Sequence, residues 1–228
     1  IYMNGSLTNF LAIVIGSGIG LFIKRGIPER YKETIMQSLG IAVGIIGLKM
    51  ALSSENMILV ILSIAIGAVC GECLKIQQAL DHFGAALTHR LGDRYGDVGR
   101  GFVTATLVFC IGAMAIVGSI QEGINGDSSI LYAKSMLDGI IAIVFAAAMG
   151  IGVALAAIPV LFYQGMITIC ASVSGEAISQ SAITELTAVG GILIIGISLN
   201  MLELKLIRVA NLLPSIPIVI LFVMMDLI

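Results

Sequence analysis

The feature that most constrains this chain is its succession of long apolar runs. A helix needs about 20 mainly apolar residues to cross a bilayer. Here 58% of the residues are hydrophobic, only 11% are charged, and the mean hydropathy is +1.09. The runs are unbroken, whereas a transmembrane β-barrel has alternating segments of about 10 residues. The sequence therefore predicts an all-α, polytopic membrane protein with a single transmembrane domain, 1–228.

Eight apolar segments predict about eight transmembrane helices. The sixth segment is short and contains Gln164 and Gly165, so it either spans the membrane fully or is re-entrant. The predicted segments cover 5–23, 35–52, 57–75, 101–121, 137–158, 159–174, 187–203 and 209–227. Two further stretches, 28–39 and 76–92, have apolar residues at helical spacing and predict amphipathic helices on the membrane surface.

Basic residues indicate how these segments are oriented. Lysine and arginine are concentrated in the links 24–34, 75–100 and 204–208, and an excess of these residues marks cytoplasmic loops. Eight full spans place all three links in the cytoplasm and both termini outside. A re-entrant sixth segment would instead place the last of these links outside, so the charges favour eight spans.

Three short matches recur in the same order in the two halves of the chain. They are Gly5 and Thr8 with Gly165 and Thr168, Leu48 and Met50 with Leu199 and Met201, and 62–64 with 214–216, at offsets of 160, 151 and 152. Chance similarity between apolar helices is the alternative explanation. A true repeat predicts two three-helix units, 5–75 and 159–228, separated by two linking helices in 101–158. The two units would then have opposite orientations, as in the inverted repeats of secondary transporters.

Each of the first three spans contains a Gly-x-x-x-Gly pair, a spacing that lets two helix backbones approach closely. The pairs are Gly16 with Gly20, Gly40 with Gly44, and Gly67 with Gly71. They predict tight packing within 5–75. Their use in a homodimer interface is the alternative, and the sequence leaves monomer and homodimer open.

Three stretches resemble one protein family. They are GFVTATLVFCIGAMAIVGSIQEGINGD at 101–127, KSMLDGI at 134–140 and YQGMIT at 163–168. Together with the glycine-rich first span, they are similar to the YdfK/YqgA family of bacterial inner-membrane proteins. The resemblance covers nearly the whole chain. It implies a multi-span protein of the bacterial cytoplasmic membrane, and it implies no substrate or catalytic residue.

Three ionisable residues fall within or beside the predicted spans: Lys49, Glu72 and Asp138. A charge in the bilayer interior is costly, by about 2.5–3.5 kcal/mol on insertion scales, and marks a functional candidate. Alternatively, all three reach the interface from a helix end. Under the repeat, Lys49 corresponds to Asn200. These two line opposite mouths of a pathway, or they are unrelated residues at helix ends.

Neutral polar residues provide the second set of candidates. Thr8 lies near the start of the first span, and Gln164 and Thr168 lie near the start of the sixth. The repeat predicts that these three face a central polar pocket, with Gln121 at the end of span four in its wall. The alternative is that they only hydrogen-bond neighbouring helices together.

The sequence predicts no enzyme, metal site or cofactor. Cys70 and Cys73 have C-x-x-C spacing, but a zinc site would need two more ligands nearby. His82 and His89 lie in the separate predicted surface helix. There is no HExxH motif, Ser–His–Asp set or nucleotide-binding loop, and nothing suggests a nucleic-acid partner.

These features lead to two hypotheses. The first is a secondary transporter or channel for a small solute or ion, embedded in the lipid bilayer of the bacterial cytoplasmic membrane. The second is a membrane scaffold or regulatory subunit that binds another membrane protein.

The orientation can be tested by cysteine labelling in intact cells. We expect an impermeant thiol reagent to label Asp127→Cys and not Arg94→Cys, because the charge bias places these positions on opposite sides of the membrane. The four native cysteines would first be replaced by serine. Labelling at position 94 in intact cells would overturn this orientation.

Overall fold

A computed structural model describes residues 3–24, 29–91, 98–174 and 179–225, and among them it contains helices and no strand. The helices are α1 Asn4–Lys24, α2 Glu29–Ala51, α3 Met57–Leu74, α4 Ile76–Leu91, α5 Val98–Cys110, α6 Ala113–Asn125, α7 Ser129–Met149, α8 Gly152–Leu155, α9 Ala157–Ser174, α10 Gln180–Met201 and α11 Ser215–Met224. A 3₁₀ turn, Val209–Leu212, precedes α11.

Six of these segments are long and apolar enough to cross a membrane. They are Asn4–Ile23, Glu33–Ala51, Met57–Leu74, Ser129–Met149, Gly152–Val173 and Gln180–Met201. Large apolar side chains such as Phe22, Met136 and Val173 are more than 70% exposed, as expected for surfaces that face lipid. The chain is therefore a helical membrane protein.

The predicted fourth and eighth spans are not single long helices. The fourth is broken into α5 and α6, which are bent by 58°. The break contains Gly112 at φ 151°, a backbone conformation that glycine adopts without a steric penalty. The eighth consists of the 3₁₀ turn and the 10-residue α11, which is shorter than a usual span. Among the described residues, the structure therefore supports six spans, or seven if the bent pair counts as one.

The boundaries of the fifth and sixth spans also differ from the prediction. Helix α7 starts at Ser129 rather than at 137, because Lys134 and Asp138 pair within the helix instead of lying at its end. The sixth segment begins at Gly152 and has 22 residues, so it is long enough to span. Its apparent shortness resulted from assigning 150–158 to the preceding helix.

The two predicted surface helices have different outcomes. Helix α4, Ile76–Leu91, agrees with the predicted helix at 76–92, whose last residue lies outside the described residues. The other stretch, 28–39, is not separate, because α2 runs continuously from Glu29 to Ala51.

The chain forms two compact units that interleave along the sequence. Unit 1 takes α1, most of α4, and α5 to α9. Unit 2 takes most of α2, then α3, α10 and α11. Each unit therefore contains helices from both of the predicted repeats.

In unit 1, glycines bring α1 against α7. A Cβ atom added at Gly16 would overlap the carbonyl oxygen of Gly139, and one at Gly20 would overlap that of Ile143. Gly18, between them, has nothing within 4 Å of such an atom. One face of α1 thus allows the two backbones to touch, which is the use of small residues expected in membranes.

In unit 2, α2 packs against α10 in the same way. A Cβ at Gly44 would lie 2.6 Å from Ser198 Oγ, and one at Gly47 would lie 2.8 Å from the Gly191 carbonyl oxygen. Ser198 Oγ also donates to the Gly40 carbonyl oxygen at 2.6 Å.

Helix α3 packs against the C-terminal segment. A Cβ at Gly67 would lie 2.5 Å from Ser215 N, and one at Gly71 would overlap the backbone of Asn211. All three Gly-x-x-x-Gly pairs therefore pack inside this chain, but against helices that come later than 5–75. The prediction that these glycine pairs pack against other helices of 5–75 is wrong, because each pair faces a segment that is distant in sequence.

The two sides of α1 provide a test of this packing. We expect Gly16→Leu or Gly20→Leu to lower the melting temperature or prevent folding, because a side chain there must push α7 away. Gly18→Leu is the matched control and should be tolerated, since replacing an exposed helical glycine relieves a propensity penalty of about 1 kcal/mol. Thermal unfolding of the three variants in detergent measures this. Equal melting temperatures for all three would contradict the packing.

Candidate functional site

Unit 1 contains a group of buried polar side chains contributed by three helices. They are Asn9 from α1, Lys134 and Asp138 from α7, and Gln164 and Thr168 from α9. We call these five residues the polar core. Asn9, Gln164 and Thr168 are 0% exposed, and Lys134 and Asp138 are 7% and 5% exposed. The core is thus closed on all sides by protein.

An ion pair and an amide bridge link the three helices. Lys134 Nζ lies 2.6 Å from Asp138 Oδ2, one turn away on the same helix. Asn9 Nδ2 donates to the same carboxylate oxygen at 3.0 Å and to Gln164 Oε1 at 3.3 Å. Asn9 therefore joins the charged pair on α7 to the amide on α9.

Several buried polar atoms of unit 1 have no hydrogen-bond partner. Within the described ranges they are Asn9 Oδ1, Ser17 Oγ, Thr106 Oγ1, Ser119 Oγ, Gln164 Nε2 and Thr168 Oγ1, and all of them belong to unit 1. Leaving such a group unpaired costs about 1–3 kcal/mol. Three of the atoms belong to the polar core, so this part of the fold has hydrogen-bonding capacity that the chain itself does not use.

Glu122 forms a second buried polar feature of unit 1. Its side chain is 0% exposed. Oε1 accepts hydrogen bonds from Gly5 N at 2.6 Å and Ser128 Oγ at 2.7 Å, and Oε2 accepts one from Ser6 Oγ at 3.2 Å. A carboxylate at this end of α1 binds an N–H group that the helix itself leaves unpaired, and it complements the positive end of the helix dipole. Glu122 therefore attaches the start of α1 to the end of α6.

Unit 2 contains a similar buried carboxylate. Glu185 is 4% exposed and accepts hydrogen bonds from Ser54 Oγ at 2.6 Å, Glu55 N at 2.8 Å and Asn56 N at 3.0 Å. These donors come from the link between α2 and α3, so Glu185 holds that link against the start of α10.

Three of the predicted site residues come together in the polar core: Asp138, Gln164 and Thr168. Thr8 does not join them, contrary to the prediction. Its side chain is exposed, and its hydroxyl donates to the Asn4 carbonyl oxygen at 2.7 Å. The polar residue of α1 that faces inward is Asn9, because it lies on the same face as the buried Gly5, Ile13 and Gly16.

Gln121 also lies away from the core. Its Nε2 donates to Asp127 Oδ2 at 2.7 Å, in the link between α6 and α7. Asp127 Oδ1 accepts the backbone N–H of Ser129 at 2.9 Å. This N–H is the main cause of the lowered pKa of Asp127, and the Gln121 amide contributes. In the structure Gln121 thus helps to hold the link that precedes α7.

The remaining candidates belong to unit 2. Lys49 is exposed. Asn200 makes two hydrogen bonds with the backbone of Ile207, at 2.8 Å and 2.7 Å, and so closes the turn after α10. Glu72 accepts hydrogen bonds from Arg208 at 2.8 Å and from Asn211 at 2.6 Å. These contacts give Asn200 and Glu72 structural roles at helix ends.

Other features of the chain form no comparable site. Within the described residues, no group of three or more His, Cys, Asp or Glu side chains is placed to hold a metal ion. A groove of about 490 Å³ lies between α6 and α9 and is lined by Ile120, Phe162, Tyr163, Met166, Ile167, Cys170 and Ala171. The groove is apolar, and no residue of the polar core lines it.

The predicted site residues did not include Asn9 or Lys134. Asn9 interrupts an apolar run with a neutral amide, which is a signal that was available. Lys134 stands four residues before Asp138, and this spacing brings two side chains together on a helix. What the sequence did not reveal is that both charges are buried.

The geometry defines a polytopic helical membrane protein with a closed polar core inside one of its two units. The chain belongs to the family described as "Protein of unknown function (DUF554)", whose model matches residues 4–224. It is 36% identical over 229 aligned positions to the "Uncharacterized membrane protein YdfK" of Bacillus subtilis strain 168, covering 97% of this chain and 96% of that protein. It is 28% identical over 217 positions to the "Uncharacterized protein YqgA" of Escherichia coli strain K12, covering 93% of this chain and 92% of that protein. No solved structure matches the chain.

The buried ion pair can be tested by a double-mutant cycle. We expect Lys134→Met alone and Asp138→Asn alone each to destabilise the protein by about 3–5 kcal/mol, because each leaves an uncompensated buried charge. The double variant should be more stable than the sum of the single effects predicts. Unfolding in mixed micelles measures the three free energies.

Lys205→Met is the matched control, since this lysine is exposed on the surface of unit 2. Its effect should stay within about 0.5 kcal/mol. Additive effects of the Lys134 and Asp138 variants would show that the two charges do not interact.

Proposed function

We propose that this protein is a secondary transporter or channel for a small solute or ion in the bacterial cytoplasmic membrane. The observation that carries the proposal is the polar core, where a charged pair and unpartnered polar atoms are buried in a membrane protein. Ionisable groups inside a membrane are costly, and they commonly mark substrate or ion pathways. A core built only for stability would be satisfied by hydrogen bonds within the chain, and this one is not.

The proposal includes an inverted repeat, with which the contacts of unit 2 are consistent. The sequence offset of 151 pairs Gly40 with Gly191, Gly44 with Ile195, and Gly47 with Ser198. If the two copies are exchanged, Ile195 takes the place of Gly44, and Gly47 takes the place of Ser198. The contact of Gly44 with Ser198 then becomes the contact of Gly47 with Ile195, and both contacts are present between α2 and α10. The exchange likewise converts the hydrogen bond between Gly40 and Ser198 into the contact of Gly47 with Gly191, which is also present.

A third pair of contacts follows the same rule. The contact of Gly40 with Leu202 becomes that of Ala51 with Gly191, and both are found. The exchange keeps the sum of the two residue numbers constant, as the contacts of any two antiparallel helices do. The contacts are therefore consistent with a pseudo-two-fold relation within unit 2, of the kind that secondary transporters use.

The C-terminal segment of unit 2 is consistent with this relation. At an offset of 152, Ser63 corresponds to Ser215 and Gly67 to Val219. The hydroxyls of both serines donate to backbone carbonyl oxygens of the preceding turn, at Leu59 and Leu212 respectively. Ser63 and Ser215 are both 0% exposed, and Gly67 and Val219 are both buried.

In unit 1, the offset of 160 needs revision. It pairs exposed Thr8 with buried Thr168, so the two residues do not have equivalent surroundings. An offset of 155 instead pairs the buried Gly5, Asn9, Ile13 and Gly16 with the buried Val160, Gln164, Thr168 and Ala171. Asn9 and Gln164 then become equivalent residues that bond to each other. With this offset the polar core would lie where the two proposed copies meet, which is where such transporters bind their solutes.

The burial of the core corresponds to a closed state of the proposed transporter. A solute would enter only after helices separate, as in alternating access. The orientation inferred from the basic residues, with both termini outside, belongs to the same proposal.

Flux into liposomes tests the proposal. Purified protein would be reconstituted and supplied with radioactive sodium, rubidium and chloride tracers, and with labelled glycerol and alanine. We expect uptake of at least one tracer above that of empty liposomes. For that tracer, Thr168→Val should reduce the rate several-fold, because it removes a buried hydroxyl while nearly preserving the shape of the side chain.

Thr34→Val is the matched control, since that threonine is exposed on α2 and its hydroxyl donates to the Arg30 carbonyl oxygen at 3.1 Å. Its flux should equal that of the unmodified protein. Folded protein that carries none of the tracers would contradict transport and favour the scaffold hypothesis. Unchanged flux in Thr168→Val would remove this hydroxyl from the pathway.

A further inference from the structure

We propose that the groove between α6 and α9 binds one acyl chain of a zwitterionic phospholipid from the surrounding bilayer. The groove has a volume of about 490 Å³, which falls within the range of about 300–1,000 Å³ that is usual for ligand pockets. All of its lining residues belong to unit 1. The proposed transport pathway uses the polar core and not this groove, so either proposal can fail without the other.

The groove follows one side of α9 for more than two turns. Its lining residues on α9 form two rows with a spacing of four residues, which places each row along one side of the helix. Ile120 contributes to the lining from α6. The groove is therefore an elongated apolar furrow, which suits a hydrocarbon chain better than a compact polar solute. The rows are Phe162, Met166 and Cys170, and Tyr163, Ile167 and Ala171.

A close contact between the two helices forms one edge of the groove. A Cβ atom added at Gly123 of α6 would overlap the carbonyl oxygen of Thr168 and would lie 2.9 Å from Ala171 Cβ. The two backbones therefore touch at this glycine, as small residues allow in membranes. Ala171 belongs both to this contact and to the groove. The packing of α6 on α9 thus fixes the groove as part of the fold.

The other edge of the groove belongs to the surface that faces lipid. Phe162 and Met166 are 69% and 50% exposed, and Cys170 is exposed as well. A chain can therefore enter sideways from the bilayer without any separation of helices. This continuity with the lipid-facing surface identifies a lipid, rather than a ligand from the aqueous phase, as the occupant.

The position of the groove along α9 matches one leaflet of a bilayer. The spanning segment is Gly152–Val173, so Phe162 lies near its middle and Ala171 near its end. At about 1.5 Å per residue, these two levels are about 14 Å apart, whereas half of the hydrocarbon core is about 15 Å thick. A phospholipid with its headgroup beyond Ala171 would therefore place the end of its chain near Phe162.

Charge at that end of the helices favours a zwitterionic headgroup over an anionic one. Anionic headgroups are attracted by lysine and arginine near the membrane surface. The stretches 101–133 and 135–204 contain neither, and Lys134 is buried in the polar core. Asp127, which is exposed and bonded to Gln121 near the end of α6, instead provides a carboxylate. It would attract the ammonium of phosphatidylethanolamine and repel the net negative charge of phosphatidylglycerol.

A single introduced tryptophan can report the bound chain, because the protein has none of its own. Phe162→Trp places the reporter in the groove. Ile15→Trp is the matched control, since Ile15 is 61% exposed near the middle of α1 and does not line the groove.

The purified full-length variants would be titrated in dodecyl maltoside with phosphatidylethanolamine whose acyl chains carry bromine, a short-range quencher of tryptophan fluorescence. We expect the quenching in Phe162→Trp to saturate at one lipid per protein. The quenching in Ile15→Trp should rise only in proportion to the lipid fraction of the micelle.

Further variants locate the chain and the headgroup. Added to Phe162→Trp, Cys170→Phe should weaken the saturable quenching several-fold, because a larger side chain fills the groove. Ile169→Phe is the matched control and should leave the quenching unchanged, since Ile169 is exposed beside Cys170 but outside the groove. Brominated phosphatidylglycerol should bind several-fold more weakly than phosphatidylethanolamine, and Asp127→Asn should reduce that difference.

Several outcomes would overturn the site. Proportional quenching in Phe162→Trp, in Ile15→Trp and in a second groove reporter, Met166→Trp, would show contact with bulk lipid only. Saturable quenching that Cys170→Phe leaves unchanged would place the chain elsewhere, and Cys170→Met replaces this variant if it does not fold. A dimeric mass without saturable quenching would assign the groove to a second copy of the chain. Phosphatidylglycerol that binds as tightly as phosphatidylethanolamine would overturn the choice of headgroup.

Discussion

The close contact between α1 and α7 is the interaction on which the polar core depends. Lipid tails are as apolar as the helices themselves, so helices in a membrane are held together by packing and polar contacts rather than by exclusion of water. Gly16 and Gly20 allow the α1 backbone to touch that of α7. This contact fixes the separation at which Asn9, two to three turns away on the same face, reaches the carboxylate of Asp138. A wider separation would leave the charged pair without its amide partner.

Burial of the pair has a second requirement, which is neutrality. Removing a single charge from water costs several kcal/mol even after the protein relaxes, and an opposite charge at hydrogen-bond distance recovers part of that energy. Lys134 and Asp138 meet this requirement on one helix, where the spacing of four residues brings them together. The remaining polar groups of the core are neutral amides and a hydroxyl, which rearrange at lower energetic cost than charges do. The core thus combines one fixed neutral pair with several adaptable groups.

Much of the fold could be predicted from the sequence, because long apolar runs specify helices almost independently of context. The sequence also indicated Asp138, Gln164 and Thr168, since polar groups stand out in apolar segments. It failed where contacts join distant positions. Asn9 meets Asp138 across 129 residues of sequence, and no local pattern specifies that meeting. Thr8 and Asn9 are adjacent and both polar, and only the packing of α1 decides which of them faces inward. The break at Gly112 was missed because the hydropathy of 101–121 is continuous across it.

The attachment of α1 by Glu122 has a consequence for the order in which the protein is built. Helix α1 leaves the ribosome before the other described helices, but the carboxylate that receives its Gly5 N–H group is 117 residues later in the chain. Its other polar partners, Asp138 and Gln164, are 129 and 155 residues later. Contacts of such long range form slowly, since a large loop must close before they contribute energy. Helix α1 must therefore remain in the bilayer without these hydrogen bonds until its later partners have been synthesised. The polar core of unit 1 is completed only after α9 has been inserted.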